Sequence, residues 1–457
     1  MKPLEKDPQA SLFSVALERI CDRGQPLVRL THAVDWRAFE AAFGSLYCED
    51  NGRPGKSIRL MVGLAILKAM FGESDEGLVE KWVQNPYWQY LCGEIEFQHE
   101  FPIEPTSMGK WRKRVSAAGL EKLLGESIAV GLKTGTIRKE HLTRVNVDTT
   151  VQEKAIAFPT DGRLYDRARL QLVEEASRLG VELRQTYTRM GKKALVMNGR
   201  YRHARQSRRA NRELRKVKTY FGRVLRDLDR KTAGIKRDER LLSRLELAWR
   251  LWKQKREDKG KIYSLHAPEV ECIAKGKARA KYEFGCKVSF VTSSGGNFFL
   301  GAEALHGNPY DGHTLEGALA QAKRIAPDGS PSIDDVFVDQ GYRGHGVATE
   351  RVHVVGKNQK NATPGLRRWM RRRAAIEPLI GHAKLDGGDP RNHLLGREGD
   401  RMNAILMAVG FNFRKITKRL ALAAAPARAH LALLHALLRQ AVRPSHYGQC
   451  WVLSVAV

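Results

Sequence analysis

The strand-forming runs of this chain are split by residues 163–261, which do not alternate, so any sheet must be assembled across that interruption. Residues 143–151 (TRVNVDTTV) are β-branched and alternating, the period-two pattern of a half-buried strand. Similar runs return only at 282–292 (YEFGCKVSFVT) and 297–302, with Gly295-Gly296 between them as in a hairpin turn. A helix is predicted over 314–325, short strands over 335–339 (DVFVD) and 352–355, a long basic helical stretch over 366–385, and a helix over 402–416. Strand, hairpin, helix, strand, strand and helix around an insertion predict an α/β core with mixed pairing.

Length and charge narrow the function. A chain of 457 residues suits two to four domains, and 42% hydrophobic content excludes wholesale disorder. The net charge is +29, which suits a polyanionic partner because neutralised phosphates release counterions, although ribosomal and membrane-surface proteins share such charge. Residues 163–261 hold 31 Lys and Arg against 12 Asp and Glu, so +19 of the total lies there. The run holding Arg202, Arg205, Arg208 and Arg209 spreads charge over most faces of a helix, which points to phosphate-backbone contact.

Residues 1–135 read as short helices. The stretch 58–71 (IRLMVGLAILKAMF) is strongly apolar, Ser74 caps a second helix, and Asn85-Pro86 marks a break. A basic helix over 106–115 with a Thr or Ser cap carries Lys110, Arg112 and Arg114. Short helices ending in a basic one suit a helix-turn-helix-like DNA-binding unit, or a helical dimerisation or packing domain. Residues 1–13 have no signal-peptide core, and the longest apolar region, 420–438, is broken by Pro426, Arg428, His430 and His435. A cytoplasmic, nucleoid-associated protein without membrane contact is expected. The six cysteines, Cys21, Cys48, Cys92, Cys272, Cys286 and Cys450, form no C-x-x-C pair and no zinc spacing, so they read as reduced thiols. His306, His313 and His345 read as capping, packing or DNA-touching residues rather than transition-metal ligands. Gly55-Lys56-Ser57 is not a P-loop, because Asp50 stands where that motif needs Gly.

Three acids stand out by position. Asp148 and Asp339 each follow an apolar strand run, and Glu377 lies in the basic helical stretch. Two strand-end carboxylates and a helix carboxylate are oxygen ligands suited to a pair of hard cations, which stabilise attacking and leaving oxygens in phosphodiester displacement. At about 100° per residue, Arg373 and Lys384 fall within about 40° of Glu377 on one helix face. The alternative for Arg373 and Glu377 is an ordinary i, i+4 ion pair.

Several blocks, taken in order, resemble the DDE transposases of the bacterial insertion-sequence-five group. They are Gly52-Arg53-Pro54-Gly55-Lys56-Ser57-Ile58-Arg59-Leu60-Met61, Asn85-Pro86-Tyr87-Trp88-Gln89-Tyr90-Leu91-Cys92-Gly93, Val147-Asp148-Thr149-Thr150-Val151-Gln152 and Phe158-Pro159-Thr160-Asp161. Asn308-Pro309-Tyr310-Asp311-Gly312-His313-Thr314-Leu315 and Val338-Asp339-Gln340-Gly341-Tyr342-Arg343-Gly344 follow. Arg373, Glu377 and Lys384 fit the family's third-acid spacing, Tyr-x2-Arg-x3-Glu-x6-Lys, with Met370 in place of its Tyr.

The resemblance implies a ribonuclease-H-like mixed-sheet catalytic core in an α/β fold, with Asp148, Asp339 and Glu377 as catalytic metal ligands. It implies Mg²⁺ as cofactor, with Mn²⁺ able to replace it, and double-stranded DNA as partner: the element's terminal inverted repeats and a target. Synapsis of two ends implies a dimer or higher oligomer on DNA. The expected organisation is an all-α DNA-binding or dimerisation domain at 1–135, a catalytic core at 136–162 and 263–420, a basic helical insertion at 163–262 and a tail at 421–457. DNA contacts are expected from Arg373, Lys384, Arg202, Arg205, Arg208, Arg209, Lys110, Arg112 and Arg114. The rival readings are a catalytically inactive or regulatory DNA-binding relative, and a nuclease that cuts without joining.

Overall fold

The structure, a computed structural model, describes residues 15–48, 54–274, 281–356, 362–386 and 390–441, with side chains as far as 423. Residues 1–13, Gly52, Arg53, Cys450 and the tail from 442 onward lie outside the described residues.

The N-terminal part is helical: α1 (Leu17–Ile20), α2 (Pro26–Ala33), α3 (Trp36–Gly44), α4 (Ile58–Phe71), α5 (Asp75–Gln84), α6 (Pro86–Leu91) and α7 (Thr106–Lys133). The largely apolar α4 is buried on nearly every side, as a helix without a continuous polar face must be. Ser57 caps its start, and Gly72 ends it in the left-handed conformation that glycine adopts at least cost. The Ser74 side chain caps α5 as expected. The basic helix departs from expectation in two ways. It runs on to Lys133 past a kink at Ser116, and it starts at Pro105 without a side-chain cap.

The sheet is mixed. Its strands are β1 (Arg144–Glu153), β2 (Glu271–Ala274), β3 (Tyr282–Ser293), β4 (Phe299–Leu305), β5 (Asp335–Val338) and β6 (Arg351–Val354). The order is β2-β3-β1-β5-β6, and β4 also pairs with β3. β1 is antiparallel to β3 and parallel to β5, β5 is parallel to β6, and β3 and β4 form the expected antiparallel pair across Gly295-Gly296.

Between β1 and β2 come α8 (Asp161–Arg178), α9 (Thr188–His203), α10 (Ser207–Lys231) and α11 (Glu239–Lys253). Beyond the hairpin lie α12 (Leu315–Ile325), α13 (Pro364–Arg372), α14 (Ile376–Leu385) and α15 (Gly396–Ala441). A tight 3₁₀ turn over Arg373–Ala375 separates α13 from α14, so the basic stretch is two helices, not one. The helix expected over 402–416 is longer at both ends and carries on into the region assigned to the tail.

The N-terminal helices do not pack as a separate unit. One continuous apolar core includes Leu64 and Ile66 of α4, Leu120 of α7, Val145 of β1, Phe290 of β3 and Phe413 of α15. Buried Asn412 joins three elements: it donates to Ser127 and Phe299 and accepts from the Phe299 N–H, at 2.8–2.9 Å. At Gly410 a Cβ would sit 2.0 Å from the Ala69 carbonyl, so only glycine lets α15 cross α4 this closely. The insertion has its own core, built on Tyr165, Phe221, Leu225, Leu245 and Leu251. Among the described residues, no helix is long and apolar enough to cross a membrane.

Candidate active site

Period-two alternation puts Asn146, Asp148 and Thr150 on the β1 face opposite Val145, Val147 and Val151. β5 pairs with β1 only as far as Asn146 and Phe337. Continuing that parallel register by two residues makes Asp148 level with Asp339, where β5 has already ended. Asp148 is therefore not at a strand end as expected. It lies mid-strand, because Thr149–Glu153 goes on pairing with β3, and only its β5 side is open. Asp339 does leave its strand, and its side chain caps the turn that follows by accepting from the Gly341 N–H at 2.9 Å.

One guanidinium gathers the three acids. Arg373 Nη2 lies 3.0 Å from Asp148 and 3.4 Å from Asp339, and Nη1 lies 3.6 Å from Glu377. Pairing of Arg373 with Glu377 alone therefore describes a third of the arrangement. Asp148 is largely buried, whereas the Asp339 and Glu377 side chains are 42% and 71% exposed. Burial pushes the Asp148 carboxyl up to about 6. Arg373 opposes that rise, Asp339 and Glu377 add to it, and the Thr149 N–H opposes it. The Arg373 Nε is buried with no acceptor among the described residues. The carboxylates stand around the guanidinium rather than closing on one another. Among the described residues, the trio of potential ligand atoms that does close to within 4.8 Å is Cys286, His306 and Asp400.

Lys384 reaches back to β1, donating to Thr150 Oγ1 at 2.8 Å and the Val151 carbonyl at 2.6 Å. Lys384 also lines a groove with Lys68, Gln152, Arg391 and Arg414. Met370, at the departed Tyr position, is buried.

One further residue was not singled out by position or spacing. Asp311 accepts from Thr149 Oγ1 at 2.9 Å and pairs with Lys287 at 3.0 Å. A Cβ on Gly341 would meet both Asp339 and Asp311 within 3.2 Å, so a fourth carboxylate flanks the site. The signal available in the sequence was the Asn308-to-Leu315 block itself, in which Asp311 is the acid.

The expected DNA contacts divide. Arg202, Arg205, Arg208 and Arg209 are exposed at the corner between α9 and α10. Lys110 and Arg114 are also exposed, with Arg114 over the Tyr47 ring. Arg112 is a correction: it is buried, and both its terminal nitrogens bond Asp75 at 2.7–2.9 Å, beside Lys68. A buried bidentate pair leaves no guanidinium edge for a phosphate. Part of the insertion's charge is likewise internal, since buried Glu175 receives Arg178, Arg240 and Arg244 at 2.6–2.7 Å.

The transposase domain family DUF772 matches residues 15–114. The chain is also 53% identical, over 195 residues, to ORF8 of the nfe locus of Rhizobium meliloti, an uncharacterised protein; the match covers 43% of this chain and 94% of that one. The chain belongs to the same family as that protein and carries a transposase-family domain. No solved structure matches it. The matched transposase domain spans α1 to α6 and the first turns of α7, so it is the helical part that shares its core with the sheet.

Proposed function

We propose that this chain is a DNA transposase of the DDE kind, binding the terminal inverted repeats of its element and cutting and joining DNA strands at Asp148, Asp339 and Glu377. The observation that carries the reading is the convergence of these three acids, from two strands and a helix, on the Arg373 guanidinium. The sheet supports it too. Setting β2 aside, an antiparallel trio of strands is followed by two strands parallel to the first, the arrangement expected of a ribonuclease-H-like core.

The donor set fits Mg²⁺. All three groups offer hard carboxylate oxygens, and the exposure of Asp339 and Glu377 leaves room for the waters that this ion retains. Bound by these acids, a metal pair would supply charge stabilisation to the attacking and leaving oxygens. The chain's own residues do the rest. Arg373 holds the acids apart and in place. Lys384 anchors the floor of the site on β1 and lines a groove of mixed charge, with Arg391 and Arg414 among its cations and Glu73 and Glu76 among its acids. Water breaks the phosphodiester at the element end and frees a 3′-hydroxyl. That hydroxyl then displaces a 3′-oxygen in the target, so one phosphodiester forms as another breaks.

Glu377→Gln tests the reading, because it removes a ligand charge while keeping size. On a labelled repeat end with Mg²⁺, the variant should bind as the parent does and lose cleavage and joining by at least about a hundredfold, the scale of about 2.7 kcal/mol. Near-parental cleavage would overturn the proposal.

A further inference from the structure

We propose that Cys286, His306 and Asp400 form a second metal site, for a borderline-soft divalent ion of the zinc class, separate from the acidic site and independent of its function. The three come from different elements: β3, the segment just after β4, and the first turns of α15. Their ligand atoms all lie within 4.8 Å of one another. Cys286 Sγ is 3.9 Å from both His306 ring nitrogens, and His306 Nε2 is 3.7 Å from Asp400 Oδ2.

The surroundings are built for an ion rather than for a bare cluster. Asp400 Oδ1 is already engaged, accepting from Lys154 and Asn392 at 2.7 Å each, which leaves Oδ2 directed at His306. The other face of the imidazole is held by Glu271, 3.7 Å from Nδ1, and Glu271 is itself fixed by the Gly307 N–H at 2.6 Å. A carboxylate behind a histidine is the usual device that sets the tautomer and aims the ligand nitrogen.

Charge points the same way. Lys154 faces Glu269 and Asp400, and Glu271 adds a third acid, so His306 alone cannot neutralise the surplus even when protonated. A divalent ion that displaces the Cys286 proton to solvent adds one net positive charge, with no redox change. Sulfur, nitrogen and oxygen donors together select zinc-class ions over Mg²⁺, which takes oxygen alone. Such an ion would pin β3 and the segment after β4 to α15. Spacing along the chain hides the site, because its ligands stand at 286, 306 and 400.

The test is a titration of the full chain, stripped of metal by a chelator, with Co²⁺ as the optical probe. The expected result is a thiolate-to-cobalt charge-transfer band that saturates at one equivalent. Zn²⁺ should displace it and excess Mg²⁺ should not, and the band should vanish in Cys286→Ser and weaken in Asp400→Asn. Carboxylates elsewhere give no thiolate band, so the acidic site cannot mimic this signal. Zn²⁺ at about a hundredfold over its dissociation constant should raise the folded-to-unfolded ratio about a hundredfold in urea titrations. No band in the parent chain, or one that survives in a folded Cys286→Ser variant, overturns the proposal; the parent titration decides even where a variant fails to fold.

Discussion

Replacing Arg373 by methionine removes the charge at the centre of the acidic site while keeping a long side chain. The three contacts it loses are not equal. Asp339 and Glu377 are open enough to solvent that each pairing is worth only a few tenths of a kcal/mol. Asp148 is different: its side chain is 14% exposed, and its remaining donor among the described residues is the Thr149 N–H at 2.8 Å. Stripping one partner from a buried ion pair costs about 3–5 kcal/mol. Asp148 has an escape, however, because it can take up a proton. Its carboxyl already titrates at about 6, and without the guanidinium it titrates higher. Protonation caps the penalty at pH 8 at the gap between that value and the solvent, about 3 kcal/mol at about 1.4 kcal/mol per unit.

The pH dependence follows from the same shift. A carboxyl raised on folding keeps a proton in the native state that the unfolded chain has lost. Stability from this group therefore falls as pH climbs from the ordinary aspartate value of 3.8 through about 6. In Arg373→Met that decline extends to higher pH, so the two proteins diverge above about pH 6 and converge near pH 5, where Asp148 is mostly protonated in both. Urea denaturation of the metal-free chain at pH 5 and pH 8 measures this. The expected deficit is about 2–3 kcal/mol at pH 8 and well under 1 kcal/mol at pH 5. Under the proposed function, Mg²⁺ should narrow the deficit at pH 8, since another cation then faces the acids. A deficit equal at both pH values would mean that Arg373 acts by packing, and the electrostatic account would fail.

Changing Arg202, Arg205, Arg208 and Arg209 together to Gln should lower the slope of log affinity for DNA against log salt by about 3–4, with stability changed by less than about 0.5 kcal/mol; an unchanged slope removes this corner from the DNA. Burial lifts the Glu126 carboxyl to about 7 despite the bond it accepts from the Asp35 N–H. The parent chain should therefore lose up to about 3 kcal/mol of stability between pH 4.5 and 7. Glu126→Gln should flatten that part of a urea-denaturation pH profile, and a profile that keeps its slope assigns it elsewhere.

Local pattern carried much of the fold. The alternation at 143–151, the Gly295-Gly296 hairpin and the apolar 58–71 run all appear as the elements their patterns predict, because each is decided within a few residues. What pattern could not carry was anything fixed by distant partners. The parallel register that brings Asp339 level with Asp148 depends on pairing between segments far apart in sequence. Charge sign also says nothing of partners. Arg112 looked like Lys110 and Arg114 in its basic run, but Asp75, from another helix, buries it. The break at Arg373 was hidden because the run through 366–385 has helical composition throughout. The face relation among Arg373, Glu377 and Lys384 rested on one straight helix, yet Arg373 still meets Glu377, while Lys384 turns to β1.

The placement of the insertion ties these features together. It leaves from the C-terminal end of β1 and returns to β2, which pairs with the start of β3 beside that end. Because β5 is parallel to β1, Asp339 also emerges toward that end of the sheet. The helical insertion therefore projects from the side of the sheet on which the acids are presented, without interrupting any strand that carries one. On the proposed function this solves an electrostatic conflict. A surface that attracts a polyanion must be basic, but three carboxylates at its centre repel phosphate. Exposed arginines on the insertion supply long-range attraction, and a cation among the acids, the guanidinium of Arg373 in this structure, shields the approaching phosphate from them. Acids and bases can then serve one polyanion because the attraction acts over many ångströms while the repulsion is cancelled locally.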